Sequence, residues 1–483
     1  MQARTGWTSL RALRGLTSIM LRITSSPTRG RRARAKRAAI AHRGLMYDTT
    51  YRRRAVSHIP SQEDDAMRGS MGLNSERVGR DNLSFILRRV HVEGPQSRSD
   101  LTSLMGLNRT TIGSLVHQLA ARQFVEERQV PSSGLPGRPS HMVRVRSDTH
   151  LVLALEIQVD SLAMALIGLG GALLRSRRIP SNPREFGPEE TIAQLVEEAR
   201  EFVSEGDVAR LVGVGVAVVG LVRSADGVVR LAPNLGWTDV PVGELVRSGL
   251  GMDVSVRVGN EADLGGLAEY LRGAAQGVDD AIYLSGEVGL GGGIIVKGQP
   301  LVGMHGLAGE VGHAVVNPAG LTCSCGAVGC WETEVGEKAL LRAAGIPTDA
   351  NTRRSVNHLL EAAASGDSVA RAAVEHVGRW LGVGLSILVN TFNPGVIVFG
   401  GLVGRLEPLV EDVVLDELAA HALFAAREGL ALRPGRYGMD AALYGAAELA
   451  FEELLADPTI VPPVAVRSAG NRGRRTALSA SSS

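Results

Sequence analysis

A chain of 483 residues is long enough for two or three domains. Its three cysteines, an odd number packed into eight residues, exclude the disulfide framework of a small secreted protein and fit a reducing, cytoplasmic setting. The net charge of +2 hides two opposed parts: residues 1–60 hold fourteen Arg or Lys and one acid, Asp48, so the rest of the chain carries 38 basic and 49 acidic residues.

Residues 1–75 show no lasting periodicity, and runs such as "RGRRARAKRAA" have little apolar content. They read as a disordered basic extension, or as sequence upstream of the true start; a DNA-contacting arm and a transit peptide are the alternatives. Residues 76–146 change character. "NLSFILRRVHVEG" has apolar positions at helical spacing, and "SRSDLTSLMGL" and "NRTTIGSLVHQLAARQFV" follow as two further helices with Gly106 at the turn between them. Asn108 is placed to cap the second. On that helix Ile112, Leu115, Val116 and Leu119 share one face, while Thr110, Ser114 and His117 point away. Helix, Gly turn, helix is the layout of a helix-turn-helix, whose second helix enters the major groove of DNA. The candidate DNA contacts are Asn108, Arg109, Thr110, Thr111, Ser114 and His117, with Arg138 on a Pro/Gly/Ser-rich hairpin wing that also carries Arg144. A generic three-helix domain is the alternative.

From residue 147 to 456 the pattern is α/β. "LVLALEIQVDSLAMALIGLGGALLRSRRI" predicts a three-strand meander with a Gly-Gly turn, and "DDAIYLSGEVGLGGGIIVKGQPLVG" opens a second one. Helices follow each, so a duplicated unit with a cleft between two lobes is expected. No stretch reads as a membrane span: Trp380 to Val403 is interrupted by Asn390, Asn393 and Pro394 and reads as a buried helix followed by a buried strand. Residues 457–483 read as a low-complexity, disordered tail.

All three thiols lie on "CSCGAVGC", with His313 ten residues upstream of Cys323. Glycines at 326 and 329 allow the backbone to converge Cys323, Cys325 and Cys330. One imidazole and three thiolates fill the tetrahedral shell of a structural Zn²⁺. Unliganded or partly oxidised cysteines are the alternative, although Cys323 and Cys325 are too close for a relaxed disulfide.

"GLAGEVGH", then ten residues, then "CSCGAVGCWE" closely resembles the signature of the ROK family of repressors, open reading frames and sugar kinases. "APNLGW", "GNEADLGGLAE", "GLGGGII" and "NPGVIVFGG" support it over residues 80 to about 455. The resemblance implies an actin-like, ribonuclease-H-like pair of lobes behind a winged helix-turn-helix. It also implies a sugar or sugar phosphate in the cleft and a homodimer or homotetramer. By the same resemblance Asn234, Asn260, Glu261, Glu310, His313 and Glu332 match positions that contact sugar hydroxyls. Kinases of the family carry an Asp-x-Gly-Gly-Thr phosphate loop and an Asn–Asp pair with the catalytic base. Here those places hold "EIQVDS" (Glu156 to Ser161) and Asn260–Glu261, and Glu287 stands in the second Gly-rich loop. Glutamate is one methylene longer than aspartate, and a shift of about 1 Å in a catalytic group can cost on the order of 10²-fold in rate. The expectation is therefore a sugar-responsive regulator of the xylose-repressor or N-acetylglucosamine-repressor type that binds operator DNA, with a sugar kinase as the alternative.

Overall fold

The structure, a computed structural model, describes residues 75–130, 140–205, 210–348 and 352–463. Arg138 and nearly all of the basic extension lie outside the described residues.

The N-terminal module is built from α1 (Ser75–Glu93), β1 (Gln96–Ser97), α2 (Arg98–Met105), α3 (Arg109–Ala121), β2 (Val125–Val130) and β3 (Ser140–Val145). Local chemistry sets its boundaries. Ser97 caps α2 in a reciprocal capping box with Asp100, and Gly106 ends it at φ 64°. Asn108 caps α3 by accepting from the Thr111 N–H at 2.8 Å and the Thr111 hydroxyl at 3.0 Å. Leu83, Ile86, Leu87 and Val90 of α1 bury against Leu101, Ile112, Leu115, Val116 and Leu119. The three strands form an antiparallel sheet in the order β1-β3-β2.

The first lobe follows: β4 (His150–Ile157), β5 (Ser161–Gly168), β6 (Ala172–Pro180), α4 (Pro183–Ser204), β7 (Arg210–Val218), β8 (Leu221–Arg223), β9 (Val228–Ala232), β10 (Trp237–Val240), α5 (Val242–Leu250), β11 (Val256–Asn260) and α6 (Glu261–Arg272). Its main sheet runs β11-β7-β4-β5-β6: β4, β5 and β6 are an antiparallel meander, and β7 and β11 add in parallel. The second lobe holds β12 (Ala281–Gly286), β13 (Leu290–Val296), β14 (Gln299–Pro300), α7 (Glu332–Val335), α8 (Glu337–Ala343), α9 (Thr352–Ala364), α10 (Ser368–Phe392), β15 (Val396–Gly400), α11 (Gly401–His421), α12 (Phe424–Arg427), β16 (Ala431–Pro434) and α13 (Ala441–Ala456). Its sheet, β14-β13-β12-β15-β16, repeats the same scheme of an antiparallel meander followed by two parallel strands. This is the duplicated α/β unit expected of an actin-like fold.

Among the described residues α10 is the one helix long and apolar enough to cross a membrane by length and composition, and 61% of its most apolar window is buried inside the protein. It ends at Asn393 (φ 47°), just before Pro394, and leads into the fully buried strand β15. Asp457, expected to begin a disordered tail, instead caps a short 3-10 turn, accepting from the Thr459 N–H at 2.9 Å, and Val461 beyond it is buried. Residues 464–483 lie outside the described residues.

Helix α13 closes the chain back onto the first lobe, and missing side chains allow it. A Cβ at Gly215 of β7 would lie 1.9 Å from the Ala446 carbonyl oxygen, and one at Gly445 of α13 would lie 1.9 Å from the Leu264 carbonyl oxygen of α6. Backbone cannot yield there as a side chain can. Gly215→Ala is expected to destabilise the protein by about 1–3 kcal/mol, read as a lower urea midpoint. Gly79→Ala, on α1 with nothing within 4 Å of the added methyl, should leave the midpoint unchanged or slightly raised. Equal midpoints for Gly215→Ala and the parent would refute the contact.

Candidate functional site

The metal loop hangs from one aromatic anchor. Trp331 is fully buried in the core of the second lobe, donates Nε1–H to the Trp380 carbonyl oxygen at 2.9 Å, and packs where α10 lacks a side chain, at Gly384. The loop before it folds back on itself through bridges Val315–Cys330 and Thr322–Val328. Gly326 (φ 93°) and Gly329 (φ 77°) hold the two left-handed positions, and a Cβ at Gly329 would lie 1.7 Å from the Asn317 carbonyl oxygen. The glycines therefore play the part expected of them.

His313 sits on the 3-10 turn Val311–His313, and its ligand atom and those of Cys323, Cys325 and Cys330 lie within 4.8 Å of one another. Cys323 Sγ is 3.6 Å from His313 Nδ1, and Cys325 Sγ is 3.7 Å from Cys330 Sγ. Tetrahedral bonds of ordinary zinc length would place sulfur and nitrogen about 3.6 Å apart and two sulfurs about 3.8 Å apart. The residues thus fit one tetrahedral metal ion. The Cys325 N–H also points at Cys323 Sγ at 3.4 Å, as backbone amides do around thiolate sites.

Apart from Glu261, which lines a cavity with Glu156 and Glu287, the expected sugar-binding residues gather beside this loop, with one exception. His313 turns Nδ1 to the sulfurs and Nε2 to Glu310, 4.0 Å away. Glu332 Oε1 accepts from Cys323 Sγ at 2.8 Å. Asn234 and Glu332 meet over Gly289, where a Cβ would lie 2.7 Å from Glu332 Oε2 and 3.5 Å from Asn234 Nδ2. Arg184 holds the Asn234 segment by donating to the carbonyl oxygens of Pro233 and Asn234. Asn260 is the exception. Its Oδ1 caps α6, accepting from the N–H groups of Ala262 and Asp263 at 2.8 and 3.1 Å, and its Nδ2 donates to the Gly220 carbonyl oxygen at 2.9 Å. This amide is thus engaged at the start of α6.

Glu261 heads α6 and lines a cavity with Glu156, Gln158, Tyr283, Ser285 and Glu287. Burial, then the charges of Glu156, Glu287 and Glu310, push its carboxyl up to about 8. Sequence reasoning missed Asp263, also on the first turn of α6, whose carboxyl burial and Glu310 push up to about 7. It also missed two arginines. Arg178 of β6 donates to the fully buried Glu156 at 2.8 Å and to Asp440 at 3.3 Å, while Gln158 donates to Glu156 at 2.8 Å. Arg353 of α9 pairs with Glu287 at 2.8 Å and reaches across the lobes to Asp160 at 3.3 Å. The places where phosphate loops were sought are thus occupied by acid–arginine pairs.

On the N-terminal module, Asn108, Arg109, Thr110, Ser114 and His117 are exposed, and Thr111 is half-buried. Asn108 and Thr111 are hydrogen-bonded to each other in the cap. Arg144 of the hairpin is paired with Glu126.

The sequence pattern of the ROK family matches residues 152–453. The xylose repressor of Bacillus subtilis is 28% identical over 383 residues, covering 78% of this chain and 97% of that protein. A ROK family transcriptional regulator described as a homolog of the E. coli Mlc protein superposes with a TM-score of 0.65 at 27% identity, over 79% of this chain and 97% of its own. A ROK glucokinase from Streptomyces griseus, solved with glucose and AMPPNP, gives 0.55 at 31% identity over 62% of this chain and 99% of its own.

Folding raises the pKa of Glu261 from 4.5 to about 8 and of Asp263 from 3.8 to about 7. The folded state therefore keeps protons that the unfolded chain releases, so stability falls as pH rises from about 4 to 8. Glu261→Gln is expected to flatten that decline and to raise Tm at pH 8 by ~2 °C or more. Parallel Tm–pH curves for parent and variant would contradict the assignment.

Proposed function

The chain belongs to the ROK family, and on that footing we propose that it is a sugar-responsive, DNA-binding transcriptional regulator of the cytoplasm, a repressor of carbohydrate genes without kinase activity. The observation that carries this reading is the module at residues 75–145, docked on the ROK domain. The repressor-type relatives cover 78% and 79% of this chain and the glucokinase 62%, a difference large enough to hold such a module. We read it as a winged helix-turn-helix whose α3 enters the major groove. Thr110, Ser114 and His117 face the base edges, while Asn108, Arg109, Thr111 and Arg138 position the phosphates.

The cleft supports a receptor more than a kinase. Phosphoryl transfer needs loops that cradle a polyanion and a carboxylate free to take a proton. Glu156 and Glu287, each tied to an arginine, fill with ion pairs the places where a phosphate cradle is required. The other side offers Asn234, Glu310, His313, Glu332 and Asp263, acceptors and donors suited to the hydroxyls of a sugar or sugar phosphate. The metal is Zn²⁺ by the softness of three thiolates and an imidazole. When bound it supplies folding energy and fixes the His313 ring, with no open position for Lewis-acid chemistry. The active species is a homodimer or homotetramer, so that two α3 helices reach successive major grooves.

The test is operator binding by fluorescence anisotropy, with DNA from upstream of the protein's own gene and a panel of D-xylose, D-glucose and N-acetyl-D-glucosamine. One sugar should weaken binding at least ~5-fold, within the usual range of allosteric coupling. Thr110→Ala and Ser114→Ala should each cost about 1–3 kcal/mol at the operator with little effect on unrelated DNA. Sugar-dependent ATP turnover above a Glu261→Ala control would overturn the reading. Metal analysis should return about one zinc per chain; less than about half would sink the four-ligand site.

A further inference from the structure

We propose that helix α6 is the rod through which the cleft controls the N-terminal module, and that Arg272 is the joint at its far end. This rests on the functional reading above.

The near end of α6 is in the cleft. Asn260 pins its first turn, and Glu261 and Asp263 project from it. Twelve residues of α-helix reach about 18 Å, far enough to carry a shift out of the cleft. Along that length the rod touches both lobes at close range. A Cβ at Gly266 would lie 3.1 Å from the Cα of Gly293 in the second lobe, and one at Gly265 would lie 2.5 Å from the Tyr283 ring. On its other side Leu264 meets Gly445 of α13. A helix held this tightly moves as a unit when the lobes move.

At the far end Arg272 Nε donates to Glu448 Oε1 at 2.7 Å, and its Nη1 donates to the His91 carbonyl oxygen in the last turn of α1. Glu448 Oε2 accepts from His91 Nε2 at 2.9 Å, and His91 Nδ1 accepts from the Gly170 N–H at 2.9 Å. That last bond fixes His91 as the neutral Nε2–H tautomer. Both side chains are buried, His91 completely. One residue of α1 is thereby tied to α6, to α13 and to the turn between β5 and β6. The remaining Arg272 nitrogen, Nη2, is buried without a hydrogen-bond partner. Ser84 to the Leu455 carbonyl, Arg88–Glu452 and Arg80–Asp457 are further polar ties of α1 to the ROK domain, and these three end on α13 or just beyond it. They anchor the module. The tie through Arg272 connects it to the helix that begins at the ligand.

The experiment compares full-length parent, Arg272→Met, Arg272→Lys and Arg88→Met. For each, operator affinity is measured with and without D-xylose, D-glucose and N-acetyl-D-glucosamine, and sugar affinity by calorimetry. Arg272→Met should bind sugar and free operator within about threefold of the parent, yet lose most of the sugar-induced change in operator affinity, a coupling of about 5–150-fold where it operates. Arg272→Lys should restore part of it, and Arg88→Met should keep it. Full coupling in Arg272→Met, or equal loss in Arg88→Met, overturns the rod while leaving the functional reading intact. A parent whose operator affinity ignores every sugar overturns both. Should Arg272→Met fail to fold, hydrogen exchange on the unaltered parent decides. The effective sugar must change protection in the last turn of α1 as well as in α6, and operator release with no change at Val90–Glu93 overturns the proposal.

Discussion

A carboxylate shut away from water must be paired or give up its charge, and the placement of such carboxylates organises this molecule. Glu448 is the case on which the architecture turns. Burial works against its charge, and the hydrogen bonds from His91 and Arg272 hold it well below the usual carboxylate range. Those two partners come from the N-terminal module and from the helix that opens the cleft. Without Arg272 the buried Glu448 carboxylate would keep only the neutral His91 as a partner. The module is thereby seated on the ROK domain by buried polar bonds, and not tethered as a bead on a linker.

The same rule divides the cleft. Glu156 and Glu287 have arginine partners, and with them one half of the groove is electrically closed. Burial raises the carboxyls of all four, and at Glu261 and Asp263 no arginine works against it. A protonated acid can donate a hydrogen bond as well as accept one, which is what a ring of sugar hydroxyls asks of its surroundings. Within one cavity, Glu261 differs from Glu156 and Glu287 less in residue type than in whether an arginine is near.

Much of this was legible before any coordinates. The caps at Asn108 and Gly106, the Gly-Gly turn of the first meander and the left-handed glycines of the metal loop are local effects, and their cause lies within a few residues. Asn260 shows the limit. Its motif match implies a sugar contact, while the structure shows the same side chain capping α6, a role the motif does not reveal. Arg178, Arg353 and Arg272 escaped notice for a different reason. Arginine is abundant in this chain, and the partners that give these three meaning stand elsewhere in the sequence, Asp440 being 262 positions from Arg178. Periodicity has nothing to say about contacts at that range. The raised pKa of Asp263 likewise depends on Glu310, from another loop.

The bonds that seat α1 on α13 span sequence separations from 357 to 377 residues. The reading head is therefore synthesised early and seated last. Its apolar residues share one core with β4, β5 and α13, so its packing is completed only when the end of the chain has been made. A nascent or prematurely terminated chain would carry this module without the partners of Ser84, Arg88 and His91, so the module takes its bearing only in the finished product.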